Sequence, residues 1–169
     1  MKKIIGVMGP GKAKQGEMRI ARQLGRLVAK TESVLLTGGM GGVMEEASRG
    51  ANEEGGLVLA ICPTYKKKDL NKYVDIPVMT GMKGGRNYMN ILSSDIVIAI
   101  GYTSAGTLSE IAFAIQMGKP VIVVGSSKKM KKYLQQFKCK SLQFAKTLQD
   151  VEGFLSKKRI VTKKKKSKS

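Results

Sequence analysis

Two side chains of opposite charge, Arg86 and Glu110, are the strongest candidates for chemistry in this sequence. Arg86 follows Gly84 and Gly85. It is either an ordinary surface cation or a guanidinium that grips a phosphate with two hydrogen bonds. Glu110 falls near the start of an expected helix, where a carboxylate often serves only as a favourable partner of the helix dipole. In a catalytic role, a carboxylate such as Glu110 would stabilise a developing positive charge or orient an attacking water.

Two glycine-rich segments, residues 37–45 and 101–110, each lie between a predicted strand and a predicted helix. The amino end of a helix offers unpaired N–H groups, and glycine lets the backbone approach a phosphate closely. Neither segment is a Walker A sequence or a convincing dinucleotide fingerprint. The glycines could also serve only to make tight turns, but two such loops in one sheet favour ligand binding. The candidate ligand-binding residues are Gly38, Gly39, Gly41, Gly42, Glu45, Arg86, Asn87, Gly106 and Thr107.

The composition excludes several kinds of site. The chain has no histidine, so a histidine-based catalytic triad is excluded and a zinc site is not expected; no metal is predicted. The two cysteines, Cys62 and Cys139, are far apart and have no metal-ligand spacing. They are typical of reduced thiols in a cytoplasmic protein.

The net charge of +19 predicts an attraction for anions such as nucleotides and RNA. Residues 158–169 form a basic tail, which we expect to be disordered over 163–169 because it lacks apolar side chains. This tail predicts at most a weak, nonspecific contact with nucleic acid. An RNA- or membrane-associated basic protein is a third functional possibility, but aromatic residues make up only 5% of the chain, so base stacking would be sparse. No apolar segment approaches the ~20 residues needed to span a membrane.

The elements that must position these residues alternate between strands and helices. This order predicts an α/β protein with a Rossmann-like three-layer fold and a mainly parallel sheet, formed by residues 1–157. Ligands of such sheets bind outside the carboxyl ends of the strands, where the strand order reverses. Strands are predicted at residues 3–8, 33–37, 57–62, 74–79, 95–100 and 121–124, and helices at 17–29, 42–54, 86–94, 105–117, 129–137 and 147–156.

A series of short motifs along the chain occurs in the order typical of one protein superfamily. The chain resembles the superfamily that includes the Lonely Guy cytokinin-activating phosphoribohydrolases and the molybdenum-cofactor carrier proteins, many of which carry an older "lysine decarboxylase" label. The likeness covers roughly residues 3–124. The motifs are Thr37-Gly38-Gly39, Gly41-Gly42-Val43-Met44-Glu45, Gly50-Ala51, Gly81-Met82, Arg86-Asn87, Asp95, Gly106-Thr107-Leu108-Ser109-Glu110-Ile111-Ala112 and Gly118-Lys119-Pro120-Val121.

The resemblance implies a homodimer or larger assembly that binds a nucleotide or the molybdenum cofactor and requires no other cofactor. In the hydrolase branch, the residues at the positions of Arg86 and Glu110 cleave the N-glycosidic bond of a nucleoside 5'-monophosphate. This chain departs from the hydrolase pattern, since residues 102–105 replace the first glycines of that loop and Ser109 stands in place of the first of two glutamates. Binding of a nucleotide-like or phosphorylated ligand, as in the carriers, is therefore expected, with phosphoribohydrolase activity as the alternative.

Overall fold

The computed structural model describes residues 1–102 and 104–160. Over these residues the chain forms a seven-stranded parallel sheet and six α-helices, with two short 3-10 turns at Lys67–Asp69 and Lys83–Gly85. The strands are β1 (Ile4–Met8), β2 (Val34–Thr37), β3 (Val58–Cys62), β4 (Ile76–Met79), β5 (Ile96–Ile100), β6 (Val121–Val124) and β7 (Leu142–Ala145). The helices are α1 (Gln15–Lys30), α2 (Val43–Glu53), α3 (Arg86–Ser93), α4 (Ala105–Gln116), α5 (Lys128–Gln135) and α6 (Leu148–Lys157).

The strand order is β4-β3-β2-β1-β5-β6-β7, and every neighbouring pair is parallel. From β1 the chain adds strands outward to β4, and it then returns to place β5 on the other side of β1. The order therefore reverses between β1 and β5, which pair from Ile5 with Ile96 to Met8 with Ala99. A sheet of this kind opens a cleft at the carboxyl ends of the two strands that flank the reversal.

The core has two apolar layers, one on each face of the sheet. On one face, Leu24 of α1, Ala47 of α2 and Phe154 of α6 pack against strand residues such as Ile5. On the other face, Ile91 of α3 and Ala114 of α4 pack against the sheet beside Met8. Leu134 of α5 joins that second face through Ile111 and Val123. Every residue of β5 is buried, as expected for a strand covered on both faces.

The predicted Rossmann-like fold is confirmed, and the sheet is parallel throughout its described length. Strand β7 was missed because Leu142-Gln143-Phe144-Ala145 has no β-branched residue and lies at a half-buried sheet edge. Ile160 is buried against the first apolar layer. From residue 161 onward, the predicted basic tail lies outside the described residues. No helix of the described chain is long and apolar enough to cross a membrane.

Helices α1 and α2 approach each other closely at two glycines. A Cβ on Gly25 would lie 2.0 Å from the carbonyl oxygen of Ala47, and a Cβ on Gly50 would lie 2.0 Å from that of Arg22. Both neighbours are backbone atoms, which cannot move without displacing a helix. Around this contact, Arg22 and Arg26 both donate hydrogen bonds to Glu53. The glycines therefore set the spacing between the two helices.

Replacing Gly25 by alanine tests this packing. Alanine favours a helix over glycine by up to about 1 kcal/mol, but here its methyl group would force α1 and α2 apart. We expect Gly25→Ala to lower the free energy of unfolding by about 2 kcal/mol. In α6, a Cβ on Gly153 meets nothing within 4 Å. Gly153→Ala should therefore raise that free energy by about 0.5–1 kcal/mol. Urea unfolding of both variants measures the difference, and equal effects would contradict the close packing.

Candidate functional site

A polar cavity of about 260 Å³ lies at the carboxyl edge of the sheet, beside the reversal between β1 and β5. Three strand-to-helix loops and the amino end of α3 surround it. Larger cavities of about 390, 410 and 520 Å³ lie elsewhere among the described residues, but their linings come from helices and from the β7 edge of the sheet, and not from the loops that follow β1 and β2. Its lining comprises Met8, Gly9, Gly11, Gly38, Met44, Arg86, Asn87, Ser104, Gly106, Thr107 and Glu110.

Arg86 and Glu110 form a buried ion pair at this cavity. Arg86 Nη1 lies 3.3 Å from Glu110 Oε1, and the two side chains are only 11% and 5% exposed. Burial lowers the pKa of Arg86, although the charge of Glu110 opposes that shift. An arginine remains charged in a protein, so a cation is held at the cavity wall.

Both described hydrogen bonds to the carboxyl group of Glu110 reach the same oxygen. Asn90 Nδ2 donates to Glu110 Oε1 at 3.0 Å, and Arg86 donates to the same oxygen. Glu110 Oε2 has no hydrogen-bond partner among the described residues. Burial raises the pKa of Glu110 to about 7, against the lowering effects of Arg86 and Asn90. Near neutral pH, Glu110 is therefore poised to hold or release a proton at the cavity.

The guanidinium of Arg86 lies directly over Gly38. A Cβ at Gly38 would come within 2.5 Å of Arg86 Nη2, so only glycine leaves room for the guanidinium. Arg86 Nη2 also lies 3.9 Å from the sulfur of Met44. The buried Arg86 Nε has no hydrogen-bond partner among the described residues. A buried donor of this kind is costly unless it is satisfied, and a ligand anion could satisfy it.

The amino end of α4 forms the opposite wall. Ser104 caps the helix, because its Oγ accepts a hydrogen bond from the N–H of Thr107 at 3.1 Å and lies 2.8 Å from Thr107 Oγ1. The N–H groups of Ala105 and Gly106 precede this capped position and have no acceptor among the described residues. A helix start with free N–H groups beside a buried arginine is a favourable site for an anion.

Asn87 and Ser109 connect α3 to α4. Asn87 Nδ2 donates to Ser109 Oγ at 2.9 Å, and Ser109 Oγ donates to the carbonyl of Gly106 at 2.7 Å. The amide donor of Asn87 is therefore occupied, and its Oδ1 is the part available to a ligand. Ser109 lines the apolar cavity between α4 and α5 instead of the polar one. Ser109, which stands in place of the first glutamate of the hydrolase motif, thus forms a hydrogen bond between α3 and α4.

The structure places other predicted ligand residues outside the cavity lining. Gly39 adopts φ +73° and packs near Cys62 on the side of β3. Gly42 adopts φ +65°, and a Cβ there would lie 2.4 Å from the carbonyl oxygen of Gly11. Gly42 therefore allows the loops after β1 and β2 to touch. Gly41 and Glu45 lie beside each other, and a Cβ on Gly41 would be 3.8 Å from the Glu45 carboxylate.

The helix position of Glu110 corrects one interpretation of its role. Because α4 begins at Ala105, Glu110 lies beyond the first turn and is not a dipole partner at the helix start. Its side chain instead points inward to Arg86 and Asn90. Tyr102 packs against the apolar layer around α4 and α5 and therefore covers the sheet.

Sequence reasoning missed the loop after β1 and the buried Asn90. Gly9 and Gly11 line the cavity, but neither is among the candidate ligand-binding residues chosen from the sequence. The signal was present, since this loop follows a strand in the same way as the two glycine-rich loops. Asn90 was missed because a polar residue inside a helix gives no sign of pointing inward.

The fold and cavity define a class of protein: a Rossmann-like α/β domain with a polar cavity where the strand order of a parallel sheet reverses. The model of the SLOG cluster4 family matches residues 2–152. The chain belongs to this family. A protein of Archaeoglobus fulgidus, described as uncharacterized, is 44% identical over 129 residues, which cover 72% of this chain and 83% of that protein.

Two solved structures are similar over nearly the whole chain. The molybdenum cofactor binding protein of Rippkaea orientalis is 38% identical with a TM-score of 0.90, covering 94% of this chain and 98% of that one. The molybdenum cofactor carrier protein of Chlamydomonas reinhardtii is 34% identical with a TM-score of 0.82, covering 92% and 99%. These matches confirm the resemblance to the carrier-like branch of the superfamily.

The raised pKa of Glu110 predicts how stability depends on pH. The usual value is 4.5 and the folded value about 7, so between these values the folded protein binds a proton that the unfolded chain lacks. The stability that this proton confers is fully present below pH 4.5 and is lost as the pH rises through 7. Glutamine does not titrate. Relative to Glu110→Gln, the wild-type free energy of unfolding should therefore fall by about 3 kcal/mol between pH 4.5 and 8.

Urea unfolding of both proteins across this range measures the difference. A difference that stays constant with pH would show that Glu110 titrates at its ordinary value. A difference that grows in favour of wild type as the pH rises would show that the pKa of Glu110 is lowered in the folded protein. Pairing with Arg86 would then outweigh burial.

Proposed function

We propose that this protein binds a phosphorylated, nucleotide-like compound and carries it without turnover, with the molybdenum cofactor as the favoured cargo. The observation that carries the proposal is the juxtaposition of Arg86 with the capped amino end of α4 across one cavity. A phosphate at this position would accept hydrogen bonds from backbone N–H groups and form an ion pair with the guanidinium. The similarity to a molybdenum cofactor binding protein and a carrier protein supports the choice of cargo.

The size of the cavity supports a ligand that is only partly enclosed. About 260 Å³ is just below the roughly 300–1,000 Å³ of typical small-molecule sites. The phosphate and the group next to it fit inside, and a larger ring system would project past the rim. A carrier gains from this arrangement, because a partly exposed cargo can be handed on without opening the protein.

Phosphoribohydrolase activity is the alternative function, and one observation favours it. Glu110 lines the cavity, its Oε2 has no hydrogen-bond partner among the described residues, and its pKa is about 7. A carboxyl group in this state could stabilise a ribosyl cation or move a proton. Against it stands Ser109, which occupies the position of the first motif glutamate and fastens α3 to α4.

Native mass spectrometry of the freshly purified protein, with elemental analysis for molybdenum, tests the carrier proposal. We expect a co-purified pterin phosphate and stoichiometric molybdenum. Gly106→Ala should abolish this retention without loss of melting temperature. A Cβ there would stand at the start of α4 beside the expected phosphate, whereas its nearest protein atom is 3.6 Å away. Gly153→Ala, remote from the cavity, is the matched control and should retain the cargo.

Incubation of wild type and Glu110→Gln with adenosine 5'-monophosphate distinguishes the two functions. A carrier releases no adenine. Release of adenine by wild type that falls by roughly two orders of magnitude in Glu110→Gln would instead establish the hydrolase. Equal retention of the pterin by Gly106→Ala and wild type would show that the phosphate does not bind at the start of α4.

We further propose that the protein resides in the cytoplasm. Both cysteines are free thiols, as suits a reducing compartment.

We also propose that the chain forms a homodimer. The outer faces of α3 and α4 expose apolar side chains, with Tyr88 and Phe113 in edge-to-face contact and Met89 and Leu92 beside them. Exposed apolar patches of this kind mark protein interfaces, and a second copy of the same face would cover them.

Sedimentation at micromolar concentration checks the assembly. We expect a species of twice the 18.3 kDa chain mass. Leu92→Lys should yield a monomer, because it places a charge inside the apolar face. The matched change Leu57→Lys, at an exposed leucine outside that face, should leave the dimer intact. A wild-type monomer at these concentrations would refute the proposal.

A further inference from the structure

The charge of the chain is divided unevenly along its length. Residues 111–169 hold 16 of the 31 Lys and Arg residues but only 2 of the 12 Asp and Glu residues. Between Glu110 and Asp150 there is no acidic residue at all. In the fold, this stretch builds β6, α5 and β7 at one end of the sheet. Positive charge that no acidic residue of the same stretch offsets is therefore concentrated at the β7 end of the sheet.

The basic residues of α1 and α2 have acidic partners that those around α5 and β7 lack. On α1 and α2, Arg22 and Arg26 contact Glu53, and Arg49 lies 3.4 Å from the same carboxylate. Around α5 and β7, seven exposed lysines have no salt bridge among the described residues. They are Lys128, Lys129, Lys131, Lys132, Lys138, Lys140 and Lys146. We call this set the lysine face. Unpaired cations held together in this way repel each other and favour a polyanion.

A groove of about 390 Å³ runs between α5 and β7 within the lysine face. Lys131 and Lys138 stand along it, and the amides of Gln135 and Gln143 line its walls. Phe144 forms part of the lining, and the ammonium of Lys131 lies 5.3 Å from the centre of its ring. The groove thus offers cations, hydrogen-bonding amides and an aromatic ring, the groups that bind the phosphates and bases of a nucleic acid.

We propose that the lysine face is a second binding site, separate from the polar cavity, that takes single-stranded nucleic acid. The phosphodiester backbone lies along α5, and bases enter the groove beside Phe144. Unstacked bases are needed to reach the ring, so a single strand is favoured over a duplex. The exposed aromatic side chains near α5, Tyr133 and Phe137, line the apolar cavity toward α4 and not the groove, so a membrane that took them up would not engage the groove.

Two matched triple variants of the full chain test the site. Lys128→Gln/Lys129→Gln/Lys132→Gln removes three charges from the lysine face. Lys66→Gln/Lys67→Gln/Lys68→Gln removes three exposed charges beside Tyr65, in the loop that follows β3. The probe is a fluorescein-labelled oligouridylate of 20 nucleotides, and its polarisation is measured against protein concentration at several salt concentrations. The melting temperature of each variant shows whether it is folded.

We expect the first variant to lose about tenfold in affinity near 0.1 M salt and its salt slope to fall by about 2, since each phosphate contact to a single strand contributes about 0.7. The second should stay within about twofold of wild type. Equal losses would show that net charge alone attracts the probe and would overturn the site. Loss in neither variant would assign the binding elsewhere, including to residues 161–169, and would also overturn it.

The variant Phe144→Leu tests whether bases bind in the groove, because it keeps an apolar side chain but removes the aromatic ring. We expect the affinity for the oligouridylate to fall several-fold with the salt slope unchanged, because stacking is lost and phosphate contacts are kept. An unchanged affinity would overturn the placement of bases in the groove. Tighter binding of wild type to phosphatidylserine vesicles or to a duplex of equal length would overturn the choice of a single strand.

Discussion

The site depends on one constraint of a parallel sheet: all of its strands end at the same edge. Because the order reverses between β1 and β5, the helices that follow these strands pack on opposite faces, α1 on one and α4 on the other. Their loops diverge and leave a cleft that no backbone fills. Gly38, Gly42 and Gly9 then bring the flanking loops close enough to narrow this cleft to a cavity.

Within that cavity, Arg86 and Glu110 are incompletely matched. Both Asn90 and Arg86 bind the same carboxylate oxygen, and Arg86 Nε is left without a partner among the described residues. A ligand anion would compete with Glu110 for the guanidinium. Its charge would also raise the pKa of Glu110 further, because like charges disfavour ionisation. Binding of an anion and uptake of a proton are therefore coupled, and each favours the other.

The sequence was sufficient for the fold and for part of the site. Apolar runs such as Ile96–Ile100 and the helix stop at Gly118-Lys119-Pro120 are strong local signals, and the order of elements follows from them. Arg86 and Glu110 could be selected from motif and residue type. Their contact, and the inward direction of Asn90, depend on how α3 packs against α4, which no local pattern encodes. Edge strand β7 was not predicted for a related reason, since most of its few residues are only half buried.

The separation of paired and unpaired charge gives the molecule an electric dipole moment. Its positive pole lies at α5 and β7, while the basic residues of α1 and α2 are neutralised around Glu53. In a field from a distant polyanion, such a molecule rotates before it makes contact, so it arrives with one side leading. This torque acts only within about one Debye length, roughly 8 Å at physiological salt. Ionic strength therefore sets how strongly orientation is selected at each encounter, in addition to how tightly the partners bind.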